Sequence, residues 1–257
     1  MINRKEDIIF KQTTTGLGDT LQWSTLPERY NERGNKFFIH KENEVHNQGI
    51  YDLVWGQNPH VQPESSSKKV NCTYHVHMDV SLSQKYNARN FVEWSEISHG
   101  FQIENSKPRI YYEPNNIEKY NYLDVIDLGS ITCFKRGFYN IKNLIETINN
   151  IIDKKNTLLI KSKHSKSPVI EHFENLNCVE VNNIFEYTDL IRSCKTFYCL
   201  YSGGASLASA VRPQGAFVFF PEIDRKKEIN SGSHLYPNNI YYCGDTTLND
   251  MPIWRFR

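Results

Sequence analysis

Gly16, Gly18 and Asp19 stand together in TTTGLGDTLQWSTLP, residues 13–27, just after a short apolar run. A carboxylate presented by a glycine turn can act as a general base, taking a proton from a hydroxyl brought within hydrogen-bond reach. It can equally cap a helix, because an Asp at a helix start accepts backbone N–H bonds of the first turn. The two roles are compatible, and the residue types leave both open. A dinucleotide fingerprint needs a third glycine for close helix–strand packing, and Leu21 stands in its place. A Walker A loop is excluded, since no G-x-x-x-x-G-K-[ST] occurs in the chain.

Two further stretches carry chemistry. In FYCLYSGGASLASAV, residues 197–211, Ser202, Gly203 and Gly204 make a turn into a helix of small residues. Free amides at a helix N-terminus, with glycines that let an anion approach, suit a phosphate, and Ser202 and Ser206 add hydroxyl donors. The same stretch also reads as a small-residue helix packed tightly on a sheet. In DLGSITCFKRGFYN, residues 127–140, Lys135 and Arg136 are adjacent cations able to neutralise a departing diphosphate, or a solvated basic pair. His75 and His77 share one face of an expected strand without a third ligand at metal spacing, so satisfied or exposed histidines are the simpler reading. Lys161, Lys163, His164 and Lys166 follow a strand end and could approach a nucleotide, a solvated loop being the simpler reading, and Arg225, Lys226 and Lys227 read as surface.

These residues need a scaffold that brings strand ends together. Residues 7–12 read as a buried strand. A glycine turn then leads to a helix over about 19–33, with Leu21 and Leu26 inward and Pro27 its weak point. Gly34 stops that helix, and Lys36–His40 is the next strand, which opens a parallel β/α sheet. Strands are expected at Asp52–Trp55, Thr73–Met78 and Arg109–Tyr112, with a helix near Ala88–His99. The polar stretch Glu113–Lys119 reads as a linker. Alternation then restarts, with strands at Leu123–Leu128, Thr157–Lys161, Cys178–Val181, Thr196–Tyr201 and Ala216–Phe220. Helices at Ile141–Ile152, Phe185–Cys194 and Ala205–Val211 separate them. The expected fold class is α/β, with two Rossmann-like domains facing a cleft, residues 1–116 and 117–257.

Composition narrows the partners. The 257 residues carry 30 Lys and Arg against 29 Asp and Glu, a formal net charge of +1, which offers no broad electrostatic footprint for nucleic acid. An anionic ligand must then be held locally. Residues 1–12 lack the apolar core of a signal peptide and no stretch reaches the ~18 apolar residues of a membrane span, so the expected location is the cytoplasm, with room for peripheral contact at the inner membrane face. The six cysteines are scattered without a C-x-x-C, which favours reduced, partly buried thiols. No D-x-D triplet is present to hold a metal, and no cofactor is expected.

The order GLGDTLQWSTLPERYNERG, YDLVWGQNPHV, LGSITCFKRGF and CVEVNNIFEYTDLIRSCKTFYCLYSGGASLASAV resembles glycosyltransferase family 9, the ADP-heptose:lipopolysaccharide heptosyltransferases of the GT-B superfamily. The resemblance implies an acceptor-side domain over 1–116 and a nucleotide-sugar donor-binding domain over 117–257. It implies that Asp19 is the catalytic base, with Gly16, Gly18 and Thr20 forming its acceptor-side loop. Lys135 and Arg136 would hold the donor diphosphate together with Ser202, Gly203, Gly204 and Ser206. The family segment D-[ST]-G-x-x-H-L-A-A-A aligns with residues 201–210, where Tyr201 replaces the acid and Ser206 the histidine. The implied activity, in polysaccharide biosynthesis, is inverting, metal-independent transfer of a sugar to a hydroxyl of a glycan or lipid-linked glycan. A nucleotide-sugar epimerase of the same architecture and a non-catalytic glycan-binding or assembly protein are the alternatives.

Overall fold

The computed structural model describes residues 6–12, 16–40, 47–63, 69–73, 85–130, 134–135, 137, 139–162, 167–220, 235–243 and 246–247. The chain divides into two compact units, Met1–Glu113 with Asn230–Tyr236, and Pro114–Ile229 with Pro237–Arg257.

The first unit is built on a four-stranded sheet with all pairs parallel. Its strands are β1 (Ile8–Lys11), β2 (Phe37–Ile39), β3 (Val61–Gln62) and β4 (Cys72–Thr73), in the order β3-β2-β1-β4. Ile8, Ile9 and Phe10 are all buried, as a strand covered on both faces requires. The Phe10 ring lies 5.7–6.2 Å from the rings of Phe37, Trp55 and Trp23, forming the centre of this core.

The helix expected over 19–33 is broken into α1 (Leu17–Leu21) and α2 (Leu26–Glu32). Pro27 is the reason. It falls in the first turn of α2, where its missing N–H has no intrahelical partner to lose. Ser24 fills the corner, donating from Oγ to the Leu21 carbonyl at 2.7 Å and accepting the Arg109 N–H at 2.9 Å. Gly34 ends α2 at φ 82°, with Gly34 N–H on the Asn31 carbonyl and Asn35 N–H on that of Tyr30, a Schellman closure.

Two expected strands are corrected. Residues 52–55 are helical: α3 (Gln48–Tyr51), capped by the Asn47 side chain, runs into a π-turn over Asp52–Gly56. The buried run Leu53, Val54 and Trp55 suits either element, and the cap at Asn47 decides it. Residues 109–112 join no sheet and are held through Arg109, which also donates to Glu28 at 2.5 Å. Of the strand expected over 73–78 only Thr73 is described, so His75 and His77 lie outside the described residues, as do 163–166 and 225–227. Helix α4 (Phe91–Ser98) packs through Phe91, Trp94 and Ile97 and buries Glu96, whose carboxylate accepts from the Glu104 and Asn105 backbone amides and from Asn105 Nδ2.

The second unit carries a seven-stranded sheet. Its strands are β5 (Asp124–Asp127), β6 (Thr157–Lys161), β7 (Asn177–Glu180), β8 (Thr196–Leu200), β9 (Phe217–Phe219), β10 (Ile240–Cys243) and β11 (Thr246–Thr247). The order is β11-β10-β9-β8-β5-β6-β7, parallel except for β10 with β11. Its helices are α5 (Ile141–Ile151), α6 (Ile184–Ser193) and α7 (Gly203–Val211). The chain starts at β5, winds outward through β6 and β7, then returns to β8 on the other side. Its topological switch point therefore lies between β5 and β8, where sheets of this kind leave a crevice beyond the strand carboxyl ends.

Candidate functional site

In the first unit the turn after β1 places Asp19 at the carboxyl edge of the sheet. Gly16, rather than Asp19, is the residue at the N-cap of α1, and as a glycine it has no side chain to cap with. Asp19 sits in the first turn, partly exposed. A Cβ on Gly16 would lie 3.0 Å from Asp19 Oδ2, so the glycine makes room for the carboxylate beside it. Gly18 is buried within the turn. Thr20 is fully buried, donating from Oγ1 to the Gly16 carbonyl and accepting from Gln12 Nε2, both at 2.9 Å. Its role in the loop is a brace that fixes where Asp19 stands.

In the second unit the turn after β8 leads into α7. Ser202 is its N-cap and accepts the Gly204 N–H at 3.3 Å, while the Ser202 carbonyl takes the Ala205 N–H at 3.1 Å. Two of the first-turn amides are thus already engaged. Ser206 has no exposed surface, which places its hydroxyl inside the packed part of the helix. Lys135 is exposed in a helical turn after β5, and Arg136 lies outside the described residues. Tyr201, which replaces the acid of the family segment, is a buried tie between β8 and β9. Its N–H donates to Tyr139 Oη at 2.9 Å, Tyr139 Oη donates to the Phe219 carbonyl at 2.8 Å, and its ring packs on Phe220.

Sequence reasoning missed a carboxylate at the carboxyl end of β5, beside the switch point. Asp127 ends β5, partly exposed, in register with Cys199 of β8. Its Oδ1 accepts the Gly129 N–H at 2.8 Å and its Oδ2 accepts a short hydrogen bond from Tyr187 Oη on α6. Burial pushes the Asp127 carboxyl above its ordinary range against the opposing pull of those two donors, and burial followed by the Asp127 charge pushes the Tyr187 phenol well up. A Cβ on Gly204 would lie 2.4 Å from Tyr187 Oη and 3.4 Å from Asp127 Oδ2. Gly204 is therefore glycine to admit this pair, whatever else approaches the helix. The signal available in the sequence was an acid closing an apolar strand two residues before a glycine.

Among the described residues no group of three His, Cys, Asp or Glu side chains is arranged to hold a metal ion, and no helix is long and apolar enough to cross a membrane. Cys72, Cys194 and Cys199 are buried free thiols and Cys178 an exposed one.

No family model and no curated protein sequence matches the chain. Solved structures do. WaaC, an E. coli heptosyltransferase solved with ADP, superposes with a TM-score of 0.56 at 11% identity over 96% of this chain and 97% of that one. The family 9 glycosyl transferase of Veillonella parvula gives 0.56 at 11% identity over 94% and 87%. The dodecameric iron-containing glycosyltransferase TibC of enterotoxigenic E. coli gives 0.54 at 15% over 84% of this chain. Its complex with ADP-D-beta-D-heptose gives 0.57 at 16% over 94%. The chain shares its fold with these glycosyltransferases. The chain spans only 58% and 64% of the two TibC chains.

Proposed function

We propose that the chain is a glycosyltransferase that moves a sugar from a nucleotide donor to a hydroxyl of a glycan or lipid-linked glycan, with inversion and without a metal. The observation that carries this reading is the shared fold over nearly the whole of both chains with a heptosyltransferase solved with ADP, joined to a partly exposed Asp19 held at a strand's carboxyl edge. The donor binds at the β5/β8 crevice of the second unit, and the acceptor on the first. Asp19 takes the proton from the attacking hydroxyl as the new glycosidic bond forms and the bond to the diphosphate breaks. Lys135, Arg136 and the backbone at Ser202, Gly203 and Gly204 stabilise the departing diphosphate. Because two of the similar structures were solved with ADP or an ADP-heptose, ADP-sugars are the first donors to try.

A non-catalytic glycan-binding protein is the second reading. It is favoured by Tyr201 standing buried where the family has an acid, and by the self-satisfied cap of α7.

The test is release of nucleoside diphosphate from nucleotide sugars by the wild type and by Asp19→Asn. The catalytic reading expects the variant to lose at least ~100-fold in turnover while still binding the donor, the scale of a missing general base. Equal turnover by both proteins removes Asp19 from the mechanism. Donor binding by both with turnover by neither moves the second reading ahead.

A further inference from the structure

We propose that Asp127, oriented by Tyr187, is a hydroxyl-recognition site that accepts hydrogen bonds from a vicinal pair of hydroxyls on the nucleotide sugar. The inference rests on the donor reading above and names the part of the donor that this corner holds. Asp127 stands at the carboxyl end of β5, one of the two strands flanking the switch point, and keeps part of its surface exposed. A carboxylate offers about four lone-pair directions. Among the described residues one donor reaches each oxygen, Gly129 N–H on Oδ1 and Tyr187 Oη on Oδ2, which leaves an acceptor direction on each.

An ionised carboxylate only accepts, so what it meets must donate. That excludes the phosphates, which are acceptors and carry like charge, and selects hydroxyls. A vicinal pair presents two donors at a separation that matches the two oxygens of one carboxylate. Tyr187 spends its proton on Oδ2, packs edge-on against Phe197, and is admitted by the bare Cα of Gly204, so the carboxylate is held before a ligand arrives. Preorganised, partly dry and charged, it makes stronger hydrogen bonds than a surface acid would. A merely structural role would not need an acid that burial disfavours, since a neutral amide of the same shape could bridge Gly129 and Tyr187.

Two donor components carry vicinal hydroxyls, the ribose and the transferred sugar, and the experiment separates them. Dissociation constants are measured for the full chain and for Asp127→Asn with ADP, UDP, GDP and CDP, with their 2′-deoxy forms, and with ADP-, UDP- and GDP-sugars. If the ribose is held, the wild type prefers ribo to deoxy forms by about tenfold, and Asp127→Asn abolishes that preference. If the sugar is held, the variant binds free diphosphates as the wild type does and loses about tenfold on the conjugates. Tyr187→Phe, which keeps the carboxylate but frees it, weakens the same ligand class by a smaller factor. A folded Asp127→Asn that retains both preferences overturns the proposal and leaves the donor reading intact. A wild type that binds none of these ligands overturns both.

Discussion

Gly204→Ala adds one methyl group where the structure has no room for it. The new Cβ would lie 2.4 Å from Tyr187 Oη, well inside contact distance. The phenol cannot simply swing away, because its hydroxyl is bound to Asp127 and its ring packs on Phe197. Overpacking of this kind costs about 1–3 kcal/mol. Against it stands a gain of up to about 1 kcal/mol from replacing a helical glycine by alanine. The balance runs from near neutral to a net loss of about 3 kcal/mol, at roughly 2–4 °C per kcal/mol in the transition. Tyr187→Phe alone loses a hydrogen bond to a charged group, about 1.5–3 kcal/mol. It also removes the atom in the way, so the double variant should be more stable than the sum of the two losses by about 1 kcal/mol or more. Denaturant unfolding of the four proteins, followed by the circular dichroism of the helices, gives this coupling directly. A stabilising Gly204→Ala, or strictly additive losses, would refute the claim that Gly204 exists to seat Tyr187.

Arg212 is buried and donates to the carbonyls of Gly215, Ile191, Cys194 and Lys195, so Arg212→Met should lower stability by at least about 3 kcal/mol in the same assay. Arg212→Lys should recover only part of it, lacking the planar fork. Because burial raises the folded-state Asp127 carboxyl above its unfolded value, the native state binds more protons over that interval and wild-type stability falls as pH climbs from about 4 through the raised value. Asp127→Asn should remove this slope, which denaturation at pH 4.5 and pH 8 would reveal as a variant that gains on the wild type at the higher pH. In brief iodoacetamide labelling of the native protein at pH 8, exposed Cys178 should react before buried Cys72, whose thiol burial pushes up to about 12, and before Cys194, pushed up to about 11. Mass spectrometry of the labelled peptides reads the order.

The second unit was the more legible half. Its apolar runs are short, bounded by polar turns and separated by helical periods, and the expected strand at residues 157–161 coincides with β6. The expected helix at 141–152 differs from α5 by one residue. The first unit was harder because its helices are short and its apolar runs ambiguous. The break at Pro27 and the helical turn through Leu53–Trp55 follow from where caps fall, at Asn47 and in the corner held by Ser24, and hydrophobic periodicity carries little of that information. At the site, the glycine turns and Asp19 were readable from residue type. The Asp127–Tyr187 pair was not, since it joins a strand end to a helix 60 residues away and depends on the parallel packing of β5 beside β8. Gly204 was read as an opening for an anion, and its neighbours give it a second reason that only the folded chain contains.

The most direct test of the central claim is a thermal-shift titration of the full chain against ADP, UDP, GDP, CMP and TDP and their common sugar conjugates. A ligand that binds only the folded state raises the transition by mass action. The account predicts that at least one nucleotide or its sugar conjugate raises the midpoint of the wild type and of Asp19→Asn alike, and that Lys135→Ala reduces the shift. A well-folded protein whose midpoint moves with none of them would contradict the account.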